Sequence, residues 1–166
     1  MPQHLEIERK FILKAMPEKK PDDVVSIEQW YWKNQMGVWE RARTWNSCVE
    51  GESWMHTIKK SISKGVSLED EKSLSREEFE SFKELCNSPN VESRYITKDR
   101  YLYNDGNLCW EVDVFDSGYH LIIAEIEMPK KNFNLKIPVF IEEVLLLEVT
   151  GLKQFSNRNL SIKTNI

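Results

Sequence analysis

Charged or hydroxyl-bearing residues recur at every second position in six stretches of this chain. Glu6, Glu8 and Lys10 alternate with Leu5, Ile7 and Phe11, Arg41 and Arg43 flank Ala42, and Thr57 and Lys59 flank Ile58. Lys98 and Arg100 flank Asp99, Glu111 and Asp113 alternate with Trp110, Val112 and Val114, and Glu125 and Glu127 alternate with Ala124, Ile126 and Met128. On an extended strand, residues i and i+2 share a face. Read one strand at a time, this is an ordinary antiparallel sheet with an apolar inside and a solvated outside. Read together, the charged faces carry doublets of like charge, which repel unless something compensates them. A polyanion compensates the Arg and Lys doublets, and a divalent cation compensates the carboxylates. A closed barrel with its charged faces turned inward would hold both ligands.

The candidate lumen charges are six cations, Lys10, Arg41, Arg43, Lys59, Lys98 and Arg100, and eight carboxylates, Glu6, Glu8, Glu78, Glu80, Glu111, Asp113, Glu125 and Glu127. A triphosphate with one or two Mg²⁺ or Mn²⁺ ions uses both sets. Arg forks take phosphate oxygens bidentately, Lys adds point charge, and the metal needs a few carboxylates besides the phosphates. The chain has no GxxxxGK[ST] loop, so a phosphate site must be built from side chains.

The elements that must position these residues are mostly strands. They run over Leu5–Leu13, Val24–Lys33, Val38–Trp45, Ser53–Ser61, Ser93–Tyr103, Leu108–Phe115 and His120–Glu127, with a shorter one at Leu145–Thr150. Asn104-Asp105-Gly106 and Ser117-Gly118 are hairpin turn chemistry. The stretch from Ser67 to Phe79 is densely charged and reads as strand or helix. Ser75–Cys86 has the better helical period, with Phe79, Phe82 and Leu85 on one stripe. Pro138–Glu143 and Gln154–Leu160 read as short helical pieces. The expectation is a predominantly β (α+β) fold: an eight-stranded antiparallel closed tunnel barrel with a few short helices packed outside, since a sheet of that size must protect its edges.

At 166 residues, with 40% hydrophobic and 30% charged residues, the chain fits one domain over residues 1–166. The net charge of −4 provides no global field for duplex nucleic acid or an anionic membrane. No apolar run approaches the ~18 residues of a spanning helix. The start MPQHLEIERK has no apolar leader, and Cys48, Cys86 and Cys109 are odd in number and widely spaced, so the expected compartment is a reducing cytoplasm. His4, His56 and His120 lack metal-ligand spacing. Trp39 and Trp45 share parity with Arg41 and Arg43. They either stack on an organic ring near a tunnel mouth or serve as barrel packing.

The ExExK element Glu6-Ile7-Glu8-Arg9-Lys10 is followed in order by Gln29 and Tyr31, Arg41-Ala42-Arg43, Thr57-Ile58-Lys59 and Arg76-Glu77-Glu78-Phe79-Glu80. Next come Lys98-Asp99-Arg100-Tyr101, Trp110-Glu111-Val112-Asp113, Ala124-Glu125-Ile126-Glu127 and Glu148-Val149-Thr150-Gly151, and then Asn157 and Leu160 in an N-x-x-L ending. In this order the chain resembles the CYTH family, also called triphosphate tunnel metalloenzymes, over nearly its whole length. The short Lys-rich first connection and the Trp-rich early strands depart from the family pattern. The resemblance implies an eight-stranded tunnel that binds triphosphate compounds with Mg²⁺ or Mn²⁺. By motif, Glu6, Glu8, Glu125 and Glu127 are the metal-side carboxylates. Lys10, Arg41, Arg43, Lys59, Lys98 and Arg100 grip phosphate, and Glu78, Glu80, Glu111 and Asp113 complete the acidic side. Lys10 and Lys98 are the candidates for positioning and activating the attack. The expected activity is metal-dependent hydrolysis of a small-molecule triphosphate, inorganic, nucleoside or organic. An adenylate cyclase or a non-catalytic triphosphate-binding module on the same scaffold is the alternative. The oligomeric state is left open.

Overall fold

Period-two alternation builds the molecule. The computed structural model describes residues 3–116 and 120–164. The Ser117-Gly118 turn lies outside the described residues. The strands are β1 (Gln3–Leu13), β2 (Asp23–Lys33), β3 (Trp39–Ser47), β4 (Gly51–Ser63), β5 (Val66–Leu74), β6 (Ser93–Asp105), β7 (Leu108–Phe115), β8 (Ile122–Glu127), β9 (Leu145–Glu148) and β10 (Ile162–Lys163). The helices are α1 (Arg76–Cys86), α2 (Val139–Glu142) and α3 (Asn157–Leu160). Eight strands pair antiparallel in the order β6-β2-β3-β4-β5-β1-β8-β7, and β7 returns to β6, which closes the barrel. β9 adds to β1 and β10 to β6.

The apolar faces point outward and are covered. α1 lays Phe79, Phe82 and Cys86 over Trp30, Trp32 and Ala42. The chain after Pro129 brings Leu135, Ile137, Phe140 and Ile141 over Phe11, Tyr103, Trp110, Val112, Ala124 and Ile126. Each large side chain buried this way stabilises the fold by ~1.5–3 kcal/mol. Ile7 and Val66 pack with Met128 in a further outer cluster. Inside, Tyr31, Ile96, Phe115 and Ile123 form an apolar plug completed by Trp39, Leu121, Phe155 and Leu160. The rest of the lumen is lined chiefly by charged side chains, with the uncharged Gln29, Met55 and Thr57 among them.

The stretch read as strand or helix divides at Ser75. Val66–Leu74 is a strand because β1 and β4 both pair with it. α1 then starts from a capping box: Ser75 Oγ accepts the Glu78 N–H (3.1 Å) and the Glu78 carboxylate accepts the Ser75 N–H (2.7 Å). Gly65 turns β4 into β5 with φ +71°, and a Cβ there would lie 2.5 Å from the Glu8 carbonyl oxygen. Only glycine fits this crossing, which also carries the Glu8 N–H to the Gly65 carbonyl at 2.8 Å.

Candidate active site

Strand register decides which charges meet. Across β6 and β7, Lys98 stands opposite Phe115 and Arg100 opposite Asp113. The Lys98 ammonium donates to Asp113 Oδ2 at 2.6 Å and to Asn157 Oδ1 at 2.9 Å. Arg100 donates Nε to Asp113 Oδ1 (2.7 Å) and Nη2 to Asp113 Oδ2 (2.9 Å), and it also pairs with Glu111. Both the Lys98 and the Asp113 side chains are 0% exposed. Burial, and after it the neighbouring Arg100, pull Lys98 down to about 8 against the attraction of Asp113. Burial would raise Asp113, but Arg100 and Lys98 hold it below its ordinary value.

On β3 the same kind of doublet is left almost alone. Arg41 Nη2 donates to Thr57 Oγ1 at 3.0 Å. Glu71 is 4.0 Å from Arg41 and 3.7 Å from Arg43. The Nε groups of both arginines are buried without a partner. Burial, then Arg41 and Arg100, lower Arg43 to about 10. Trp45 lies against Arg43 and Arg100, with ring-to-guanidinium distances of 5.4 and 5.9 Å. Trp39 instead belongs to the apolar plug, the barrel-packing role.

The acidic wall comes from β1, β5 and β8. The Lys59 ammonium sits 2.8 Å from Glu6 and 3.6 Å from both Glu8 and Glu69. Lys10 pairs with Glu125 at 3.2 Å and donates to the Phe155 carbonyl at 3.2 Å. Glu127, opposite Glu8 in the ladder, bonds His4 at 2.7 Å. Burial followed by Glu125 pushes Glu8 up to about 9, and burial followed by Glu6 pushes Glu69 up to about 7. Glu6 goes the other way: burial opposes ionisation, but Lys59 brings it down to about 2. The wall thus has more carboxylates than cations to neutralise them. Among the described residues, no three His, Cys, Asp or Glu side chains form a ready metal cage. The Lys59 ammonium stands between the carboxylates instead.

The lumen therefore gathers Glu6, Glu8, Lys10, Arg41, Arg43, Lys59, Lys98, Arg100, Glu111, Asp113 and Glu125, as their parity predicts, with Glu127 on the same face at its exposed end. Glu78 and Glu80 are the correction. They lie on α1, outside the barrel, with Glu78 spent on the capping box and Glu80 exposed. On a helix, positions i and i+2 face opposite ways, so the alternation that places Glu125 and Glu127 together means nothing there. Glu69 and Glu71, on β5, take their place in the lumen. Their signal was the Glu69-Asp70-Glu71 alternation, hidden by a dense run of charge. The contact of Asn157, named above only as part of the N-x-x-L ending, with Lys98 and the bond of the exposed His4 to Glu127 had no local signal. Surface clefts of about 350 and 330 Å³ lie beside α1 and beside Gly65. Neither is lined by Arg41, Arg43 or Arg100.

No family model matches the chain. A stretch of 77 residues, 46% of the chain, is 39% identical to an inorganic triphosphatase of Acetivibrio thermocellus. The match covers 44% of that curated relative, less than half its length. Among solved structures, the inorganic triphosphatase NE1496 superposes with a TM-score of 0.59 at 22% identity, over 94% of this chain and 93% of that one. The PH1012 protein of Pyrococcus horikoshii OT3 superposes with a TM-score of 0.55 at 20% identity, over 76% of this chain and 80% of that one. At these identities the superpositions establish a shared barrel fold.

Proposed function

We propose that this chain is a member of the CYTH or triphosphate tunnel metalloenzyme family and a divalent-metal-dependent triphosphatase acting on inorganic triphosphate or a nucleoside or organic triphosphate. The observation that carries the reading is the Arg41–Arg43 doublet: two half-buried arginines whose buried Nε donors lack partners, facing a lumen whose other wall is rich in carboxylate. Buried donors without acceptors are costly. An anion with many oxygens supplies the acceptors that the fold withholds. The 77-residue match to an inorganic triphosphatase supports the same chemistry.

The donor set fits a hard cation. It is all oxygen, and Lys59 already places one positive charge within 2.8–3.6 Å of three carboxylates. Glu6, Glu8, Glu125 and Glu127 would hold Mg²⁺ or Mn²⁺, with Glu69 beside them. When bound, such an ion supplies charge neutralisation at the phosphate oxygens. The chain's own residues do the rest. Arg41, Arg43 and Arg100 clamp non-bridging oxygens bidentately. Lys59 moves its charge between carboxylate and phosphate. Lys10 and Lys98 each bring a compact ammonium to the oxygen where negative charge develops as the bridging P–O bond breaks. The acidic wall orients the attacking water and accepts its proton. The products are orthophosphate and the diphosphate remainder. No helix among the described residues is long and apolar enough to cross a membrane. A cytoplasmic location belongs to this proposal and rests on the cysteine pattern.

The test is to incubate the protein with tripolyphosphate and with ATP, in Mg²⁺ or Mn²⁺ and in excess chelator, and to resolve the products. Metal-dependent release of orthophosphate is expected. Cyclic AMP from ATP would replace this reading with the cyclase, and binding without turnover would replace it with the binding module.

A further inference from the structure

The C-terminal turn is not part of the barrel, yet it reaches both lumen lysines. Asn157 Oδ1 accepts from Lys98 Nζ at 2.9 Å, and the Phe155 carbonyl accepts from Lys10 Nζ at 3.2 Å. We infer that Asn157 is the positioning residue of Lys98, held by a C-terminal turn that also fixes Lys10 through the Phe155 carbonyl. The inference rests on the proposed triphosphatase reading for what the lysines do, and on geometry alone for how they are held.

Three features carry it. First, the turn is anchored without help from the lysines. Arg94 donates Nε to the Arg158 carbonyl (3.0 Å) and to Ser161 Oγ (2.9 Å), and Nη2 to the Ser161 carbonyl (2.6 Å). Phe155 and Leu160 pack into the apolar plug, and the Arg158 guanidinium lies 5.1 Å from the centre of the Trp39 ring. Asn157 therefore arrives already oriented, as a positioning group must. Second, the Lys98 side chain is 0% exposed and, among the described residues, forms an ion pair with one carboxylate, Asp113, which Arg100 shares. An ammonium held only by Asp113 would collapse onto it as a closed ion pair. A second acceptor on another element holds Nζ off that carboxylate's axis and aims its remaining proton at the lumen. Third, the acceptor is neutral. An amide oxygen orients the ammonium without cancelling its charge, which a second carboxylate would do. An ammonium only donates, so the amide oxygen must be the atom facing it.

The test is a double-mutant cycle on tripolyphosphate turnover, with a thermal melt for every variant. Asn157→Ala should lower kcat about 10–100-fold, the usual weight of a hydrogen bond to a charged group, with KM little changed. In a Lys98→Ala background, itself expected to be ~10²–10³-fold slow, Asn157→Ala should cost almost nothing more, because the group it acts through is gone. Asn159→Ala is the control. It removes a bond within the same turn, from Asn159 Nδ2 to the Lys153 carbonyl at 2.7 Å, and should leave kcat unchanged. An equal loss from Asn157→Ala in both backgrounds, an equal loss from Asn159→Ala, or no loss at all overturns the inference. If the wild-type protein turns over no triphosphate, the functional reading fails and the positioning claim is decided by ¹⁵N NMR of lysine ammonium groups. The Lys98 resonance, assigned by its disappearance in Lys98→Ala, should persist in wild type and Asn159→Ala and shift or exchange away in Asn157→Ala. An unchanged Lys98 resonance in Asn157→Ala overturns the claim by that route.

Discussion

Strands β3 and β6 each turn two cations into the lumen, at alternate positions and in the same barrel, yet the two doublets are in opposite states. On β6, Lys98 and Arg100 share Asp113, and Arg100 also takes Glu111. On β3, the one ion-pair partner of Arg41 and Arg43 among the described residues is Glu71, at 4.0 and 3.7 Å, and both keep Nε donors without acceptors. The cause is the strand each one faces. β6 pairs with β7, whose inward positions are Glu111 and Asp113. β3 lies between β2 and β4, and the residues opposite Arg41 and Arg43 there, Tyr31 and Gln29 on one side and Thr57 and Met55 on the other, carry no charge. A buried pair stripped of one partner is strongly destabilising, whereas an unpaired charge waiting for a ligand is a cost that binding removes. β6 cations thus belong to the fold as well as the site, and β3 cations chiefly to the site.

Removing Asp113 breaks the paired side of this contrast hardest. Asp113→Ala leaves Lys98 and Arg100 buried around a missing carboxylate and should destabilise the protein by about 3–5 kcal/mol in urea unfolding. A loss under 1 kcal/mol would mean that the β6 pairs are not structural.

Arg43→Met tests the other side. It removes a charge repelled by Arg41 and Arg100. The melting temperature should therefore hold or rise, while tripolyphosphate binding, read by calorimetry, weakens roughly 10–100-fold. A drop in stability with intact binding would reverse the assignment of the two strands.

The acidic wall sharpens the comparison through pH. Glu8 and Glu69 have folded values raised to about 9 and about 7. A raised group stabilises the fold fully below its unfolded value near 4.5, and the contribution is lost as pH rises through the folded value. Lys98, lowered to about 8, is protonated in both states across most of the lower window and adds little slope there. The melting temperature of the metal-free protein should thus fall between about pH 5 and 8, and Glu8→Gln should flatten the slope. A flat wild-type profile would mean that this carboxylate cluster is better solvated than its burial implies.

The smallest effects are expected on α1. Glu80→Gln should leave turnover and stability unchanged, since Glu80 is exposed. Ser75→Ala should cost about 1 kcal/mol of stability through the lost cap, without touching turnover. Loss of turnover in Glu80→Gln, measured by phosphate release, would return that residue to the site.

What the sequence determined by itself was the face each charge occupies. Period two is a property of a single strand's backbone, so Arg41 with Arg43, Lys98 with Arg100, and Glu125 with Glu127 could be placed before any partner strand was known. The outward apolar faces of Ile7, Val112 and Ile126 followed from the same rule, and so did the need for closure. The tertiary structure alone decided which charges are paired. Whether Arg100 meets Asp113 or Arg43 meets Glu71 depends on strand order and register, which are set by contacts distant in sequence. It also decided that Val66–Leu74 is a strand. The same run of Glu, Asp and Lys accepts either period, and only hydrogen bonds from β1 and β4 on its two edges hold it extended, which brings Glu69 and Glu71 inside and leaves Glu78 and Glu80 on the helix. Asn157 reaches Lys98 across 59 residues of chain, and no local pattern encodes a contact made only when the C-terminal turn docks against the finished barrel.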